Sequence, residues 1–178
     1  MTEPVARPVD SGDLADVEAQ LGRPSRGTRA VGHRCPCGLP DVVVTDPRLP
    51  DGTPFPTTYY LTCPRATSLI GTLEGSGLMR EMEARLRDDL DLAAAYRAAH
   101  DAYLADRQRL ADVPEIAGVS AGGMPDRVKC LHVLAAHALA AGRGVNPLGD
   151  EVLERLGAWW SDGPCVSSVR PAGRDGDG

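Results

Sequence analysis

TRAVGHRCPCGLPDVVVTDPRLPDGTPFPTTYYLTCPR, residues 28–65, is the stretch that decides the fold. It holds three short runs rich in β-branched and aromatic residues, at 28–34, 41–45 and 57–62, and such runs read as strands. CPCGLP joins the first two as a turn-like link. DPRLPDGTPFP joins the last two, and its four prolines stiffen it into a defined arm around an Asp51-Gly52 turn. Three consecutive runs with such links assemble most simply as an antiparallel meander. Folding the last pair at Asp51-Gly52 sets Cys63 opposite residue 40. The hairpin would then gather Cys35, Cys37 and Cys63 at one end of the sheet.

On either side of this stretch the periodicity turns helical. Asp13 is a candidate N-cap for a short amphipathic helix carrying Leu14, Val17 and Leu21 on one face, with Gly22 and Pro24 ending it. After Pro64, helical spacing runs through Leu69, Leu73, Leu78, Met79, Met82 and Leu86. RDDLD breaks that pattern at a cap, and Leu92, Tyr96, Ala99, Tyr103 and Leu110 form the next stripe. VPEIAGVSAGG reads as a loop, and residues 126–141 as a further helix. Asn146-Pro147 opens another, with Pro at the first helical position and Asp150 and Glu151 in the first turn. The expected fold class is α+β: a small three-stranded antiparallel meander over about 28–63, then a mainly helical bundle of four to five helices. At 178 residues the chain is expected to form one domain over 13–165, with disordered ends at 1–12 and 166–178.

The formal net charge of −6 argues against nucleic acid as the main partner, since phosphate neutralisation needs a basic face. Arg23, Arg26, Arg29 and Arg34 form one local exception, with no acid between them. They read as a solvated basic loop or as an anion contact. No secretory signal and no membrane-length apolar run is present, which points to the cytoplasm. Five cysteines in such a chain are more naturally thiols or metal ligands than disulfides.

Each of the five sulfurs falls at the end of an element. A Cys-ligated zinc ion or iron–sulfur cluster would explain that placement, and Cys35 and Cys63 both precede Pro, a common neighbour of cluster ligands. CPCG is one residue short of a zinc knuckle, however, and no CxxC pair exists. Inert buried thiols and a catalytic or redox thiol stand as the other readings.

The only lysine stands in GGMPDRVKCLH, residues 122–132, while the other 18 basic residues are arginine. On a helix starting near Asp126, at ~100° per residue, Cys130 and His137 would share one face, and Lys129 and His132 another. Cys130 and His137 would lie about 10.5 Å apart along the axis, too far to share one metal ion. Cys130 and His132 would point nearly opposite ways and form no dyad. A Gly pair leading into a helix N-terminus exposes backbone N–H groups to an anion. Arg127 and Lys129 in a first turn would oppose the helix dipole, which a bound anion would offset. Gly122, Gly123, Arg127 and Asn146 are therefore the expected anion-binding residues. Lys129 and His132 are the expected catalytic residues, one a compact charge and the other a proton donor. An ordinary Gly-rich turn with solvated cations is the competing reading.

GTPFPTTYYLTCPR, GGMPDRVKCLHVLAAHALA, GVNPLGD and a late PC, in that order, resemble the bacterial domain of unknown function 501 family over roughly residues 13–165. The resemblance implies a cytosolic housekeeping setting and no specific activity. It singles out positions matching Cys35, Cys63, Lys129, Cys130, His132, His137 and Cys165, while Cys37 matches less securely. Four cysteines, Cys35, Cys63, Cys130 and Cys165, then make the implied ligand set for zinc or an iron–sulfur cluster. The leading expectation is a small metalloprotein with an adjoining polar pocket. One alternative is a metal-free enzyme acting on an anionic or phosphorylated small molecule. Another is a non-catalytic interaction protein tied to division, using the arm 46–56 and Trp159-Trp160 as contact surfaces.

Overall fold

A computed structural model describes residues 7–168. Strands β1 (Arg7–Pro8), β2 (Thr28–Arg34), β3 (Pro40–Thr45) and β4 (Tyr59–Leu61) form one antiparallel sheet in the order β1-β2-β3-β4. The predicted meander is β2-β3-β4. Its last pairing sets Val42 against Leu61, Val43 against Tyr60 and Val44 against Tyr59, which is the register that folding at Asp51-Gly52 requires. The Thr62 N–H donates to the Asp41 carbonyl at 2.8 Å and carries the alignment to the end of the ladder.

The N-terminal expectations change in part. Residues 1–6 lie outside the described residues. At 7–12, where disorder was expected, β1 pairs with β2 and helix α1 (Ser11–Leu21) begins. Its cap is Asp10 rather than Asp13, because the Asp13 N–H donates to Asp10 Oδ1 at 2.8 Å. Asp13 instead accepts both nitrogens of the Arg34 guanidinium, at 3.0 and 2.9 Å. The C-terminal tail is described as far as Ser168, whose hydroxyl donates to Asp16 at 3.1 Å.

Five α-helices follow the sheet: α2 (Pro64–Gly75), α3 (Leu78–Asp88), α4 (Leu90–Leu110), α5 (Leu131–Ala141) and α6 (Pro147–Leu156). The break between α3 and α4 falls at RDDLD, where the sequence places it, while the break at Gly77 interrupts a spacing that reads as continuous. Gly77 takes a left-handed φ of 88° before α3, and Asp89 caps α4 by accepting the Leu92 N–H. Helix α5 starts later than its periodicity suggests. Residues 126–130 are turn and extended chain, with Cys130 at φ −153° as the residue before the helix. The Gly pair causes this. Gly122 and Gly123 hold positive φ, and their carbonyls accept the N–H groups of Lys129 and Arg127, each at 2.8 Å. Those donors are closed into a loop before a helix can use them.

Helix α5 is the centre of the molecule. It packs on β2, β3 and β4 from one side and on α2 and α6 from the other. Leu131, Leu134, Ala135, Ala136 and His137 have no exposure, so an apolar helix (Ala-rich, with few bulky anchors) is enclosed on nearly every face. Helix α6 crosses it with almost no gap. A Cβ on Gly149 would sit 2.1 Å from the Leu134 carbonyl oxygen and 2.9 Å from the Ala138 methyl. Helix α4 supplies the fully buried Tyr96 and Tyr103. The Tyr103 hydroxyl accepts the Thr58 N–H at 2.7 Å, while buried Arg107 donates to the carbonyls of Pro56 and Ile116. These bonds fasten the start of β4 and the end of the Pro-rich arm to α4.

The α5–α6 crossing gives a clear expectation. Gly149→Ala forces a methyl into backbone and should cost about 3 kcal/mol or more. Gly71→Ala on α2 is the control, since its Cβ would meet nothing within 4 Å. It should gain about 0.5–1 kcal/mol from helix propensity. Urea unfolding of both variants beside the wild type checks the pair.

Candidate metal centre

The late start of α5 rebuilds the chemistry around Cys130. The expectation that Cys130 and His132 point apart assumed a helix through both. Cys130 lies in extended chain just before the helix, and its Sγ stands 3.9 Å from His132 Nδ1. Glu74, near the C-terminus of α2, completes the group. Its Oε1 accepts the Leu131 N–H at 2.8 Å and lies 3.1 Å from His132 Nδ1. The other ring nitrogen, Nε2, donates to the Thr67 carbonyl at 3.1 Å. Sulfur, nitrogen and oxygen donors of Cys130, His132 and Glu74 all lie within 4.8 Å of one another, and all three residues are half-buried.

The electrostatics follow from these contacts. The His132 imidazole is pushed up to about 9, first by its hydrogen bond to the Cys130 sulfur and then by the Glu74 charge and the Thr67 carbonyl, with burial opposing. Nδ1 thus carries a proton between a sulfur and a carboxylate, and a cation could replace that proton. Glu74 also places negative charge at the positive end of α5, where it offsets the helix dipole.

The expected anion pocket is filled by the protein itself. Glu83 Oε1 accepts the Val128 N–H at 3.0 Å and Arg127 Nε at 3.1 Å. With the Gly carbonyls and Glu74, this engages the N–H groups of residues 127–131. Gly123 is packed under its own loop, where a Cβ would lie 2.7 Å from the Arg127 carbonyl oxygen. Asn146 is elsewhere. It is fully buried, caps α6 through Oδ1 on the Gly149 N–H, and donates through Nδ2 to His137 Nδ1. Lys129 is exposed beside Cys130, and its ammonium has no hydrogen bond or ion pair among the described residues. The helical face it was expected to share with His132 does not form, because residue 129 is not helical.

The four cysteines of the implied ligand set do not meet at one point. Cys63 neighbours Cys165, whose Sγ also accepts from Gln20 at 3.3 Å. Cys35 neighbours Cys37 in the β2–β3 turn. Cys130 belongs with Glu74 and His132, and that trio is the one group of metal-type donors among the described residues. Burial pushes the Cys35 thiol up to about 12 and the Cys63 thiol up to about 11, so both are held as neutral thiols. Glu74, the only acid on α2, escaped the sequence reading because it stands 58 residues before His132 and nothing local marks it as a ligand. The arginine cluster dissolves in the same way: Arg26, Arg29 and Arg34 pair with Asp51, Asp46 and Asp13.

A family model described as "Protein of unknown function (DUF501)" matches residues 31–154. That span contains Glu74, Cys130 and His132 and leaves out Cys165. No curated protein and no solved structure matches the chain. Among the described residues, no helix is long and apolar enough to cross a membrane.

His137, the other histidine of this helix, stands apart from the trio. Its ring stacks on Tyr59 at 5.7 Å and meets Tyr103 edge-on at 5.0 Å. Asn146 donates to its Nδ1, so Nε2 carries the hydrogen, buried without a partner. Burial holds its imidazole down at about 4, against an ordinary 6.5. The unfolded chain therefore binds this proton below about pH 6.5 while the folded chain refuses it to about pH 4. Stability should fall through that window by about 3 kcal/mol and level off below it. His137→Gln should start less stable but show a flatter profile, measured by urea unfolding between about pH 7 and pH 4.

Proposed function

The chain belongs to the DUF501 family, and from that premise we propose that it is a metal-binding protein whose centre is Glu74, Cys130 and His132. The observation that carries this reading is the convergence of three unlike donors within 4.8 Å. A thiolate, an imidazole and a carboxylate suit a borderline ion, zinc above all. An iron–sulfur cluster takes several thiolates, and this group offers one. His132 already has the second contact that metal-bound histidines commonly make, an Nε2–H bonded to a backbone carbonyl. Three protein ligands leave the fourth tetrahedral position for water or substrate, the arrangement of a catalytic site rather than of a closed structural one.

The trio would hold the ion between α2 and the start of α5. Lys129 beside it would place a compact positive charge near whatever occupies the fourth position. Cys35, Cys63 and Cys165 then act as packing and hydrogen-bonding groups. A second reading keeps the same residues without metal: Cys130 as a reactive thiol beside the His132 imidazolium, supported by their 3.9 Å approach. The pairing of Arg127 with Glu83 removes the phosphate grip from that reading and leaves the thiol as its carrier.

Metal analysis of protein purified anaerobically, without chelator, separates the two. One zinc per chain is expected. Glu74→Gln, Cys130→Ser and His132→Asn should each weaken binding by about tenfold or more. Cobalt substitution should give a thiolate charge-transfer band that Cys130→Ser abolishes. Wild-type protein with no bound zinc and no cobalt band would overturn the metal reading, and selective alkylation of Cys130 would then support the thiol.

A further inference from the structure

The C-terminal end of α5 borders a second constellation that shares no residue with the metal trio. His33 sits on β2, where the pairing with β3 is irregular on both sides of it. Such irregularities re-aim side chains. Its Nδ1 lies 2.7 Å from Asp41 Oδ1. Asp41 has no exposure, and its second oxygen is buried without a partner. A carboxylate can only accept, so it fixes the hydrogen of the neutral ring on Nδ1 and leaves Nε2 as an acceptor. Nε2 has no partner among the described residues, and the His33 side chain is 34% exposed.

That exposed side opens on a cleft of about 400 Å³. Pro36, Leu139, Leu153, Trp159 and Trp160 give it apolar walls. The two indoles stand perpendicular, with centroids 4.6 Å apart. Trp159 is 8% exposed, and its indole N–H is buried with no acceptor. On the rim Arg143 is bonded to Glu154, and the Asp150 carboxylate accepts the Gly144 N–H at 2.7 Å.

We propose that this cleft binds a planar nitrogen heterocycle that carries a ring N–H. The ring lies against the tryptophans and its N–H donates to His33 Nε2. Each part follows from the site. Apolar aromatic walls favour a flat ring. A fixed acceptor at His33 Nε2 selects a ligand that carries an N–H donor. The volume is in the range of small-molecule sites. Asp41 is a positioning residue here, acting through His33.

The chain has two tryptophans, and both line this cleft, so tryptophan emission reports binding there. Benzimidazole is the probe, since it carries an N–H donor and a ring-nitrogen acceptor on a flat frame. Its 1-methyl derivative keeps the frame and the acceptor but loses the donor. Titration of the wild-type protein should give a saturable emission change with benzimidazole, and methylation should weaken binding about fivefold. His33→Gln keeps a donor for Asp41 but moves the acceptor, and should abolish the difference between the probes. No saturable change with benzimidazole would overturn the proposal. So would equal affinity for the two probes on the wild type, a comparison that needs no variant to fold.

Discussion

The approach of Gly149 to the Leu134 carbonyl sets where α5 can lie, and most of the structure is arranged around that helix. With no side chain at 149, α6 crosses α5 backbone against backbone. Asn146 follows from the same crossing. It caps α6 and, from the cap, reaches His137 on α5. A polar pair is thereby buried where the two helices meet, with Tyr59 and Tyr103 packed around the histidine ring. The other end of α5 is held differently. Glu74 takes the Leu131 N–H, and Glu83 takes the Val128 N–H in the loop before it. One end of the seating is steric and the other electrostatic. Glu74, Cys130 and His132 stand at the electrostatic end, where such polar side chains are already needed to hold the backbone.

What could be read from the chain was what short-range chemistry determines. The β3–β4 register was legible because the Asp51-Gly52 turn and the two strands lie on one continuous stretch. The helix break at Asp89 was legible because side-chain capping is a local property, whereas the apolar spacing ran on across the left-handed Gly77. The start of α5 was misread, and the cause is instructive. Apolar periodicity continued back through Val128, but the carbonyls of Gly122 and Gly123 had first claim on the N–H groups that a helix would need. Periodicity reports which face would be buried and says nothing about which acceptor takes the backbone donors. Once that helix was assumed, Cys130 and His132 were rotated apart, and the contact that defines the site was lost.

The anion-contact readings failed from one source. Positive charges looked unopposed because their partners are distant in sequence. Arg26, Arg29 and Arg34 meet Asp51, Asp46 and Asp13 across separations of 17 to 25 residues, and Arg127 meets Glu83 across 44. In an acidic chain such partners are plentiful, so a local excess of arginine is weak ground for an external anion. Lys129 differs from these arginines. It is exposed beside Cys130, with no ion pair among the described residues. An arginine there would present a broad planar fork suited to pairing with carboxylates, while an ammonium is a strongly hydrated point charge.

The cysteines sort themselves by the same reasoning. Cys35 and Cys63 are nearly inaccessible, and burial raises both thiols far above neutrality. Their chemistry is suppressed by the packing that made them look assembled at one end of the sheet. Cys130 is half-buried and has an imidazole and a carboxylate within reach. A ligand or nucleophile must give up its proton, and a charged form survives only where something stabilises it. Position at the end of an element brings sulfurs near one another. The neighbouring donors and cations, supplied here by α2 and by the first turn of α5, decide which sulfur can react or bind.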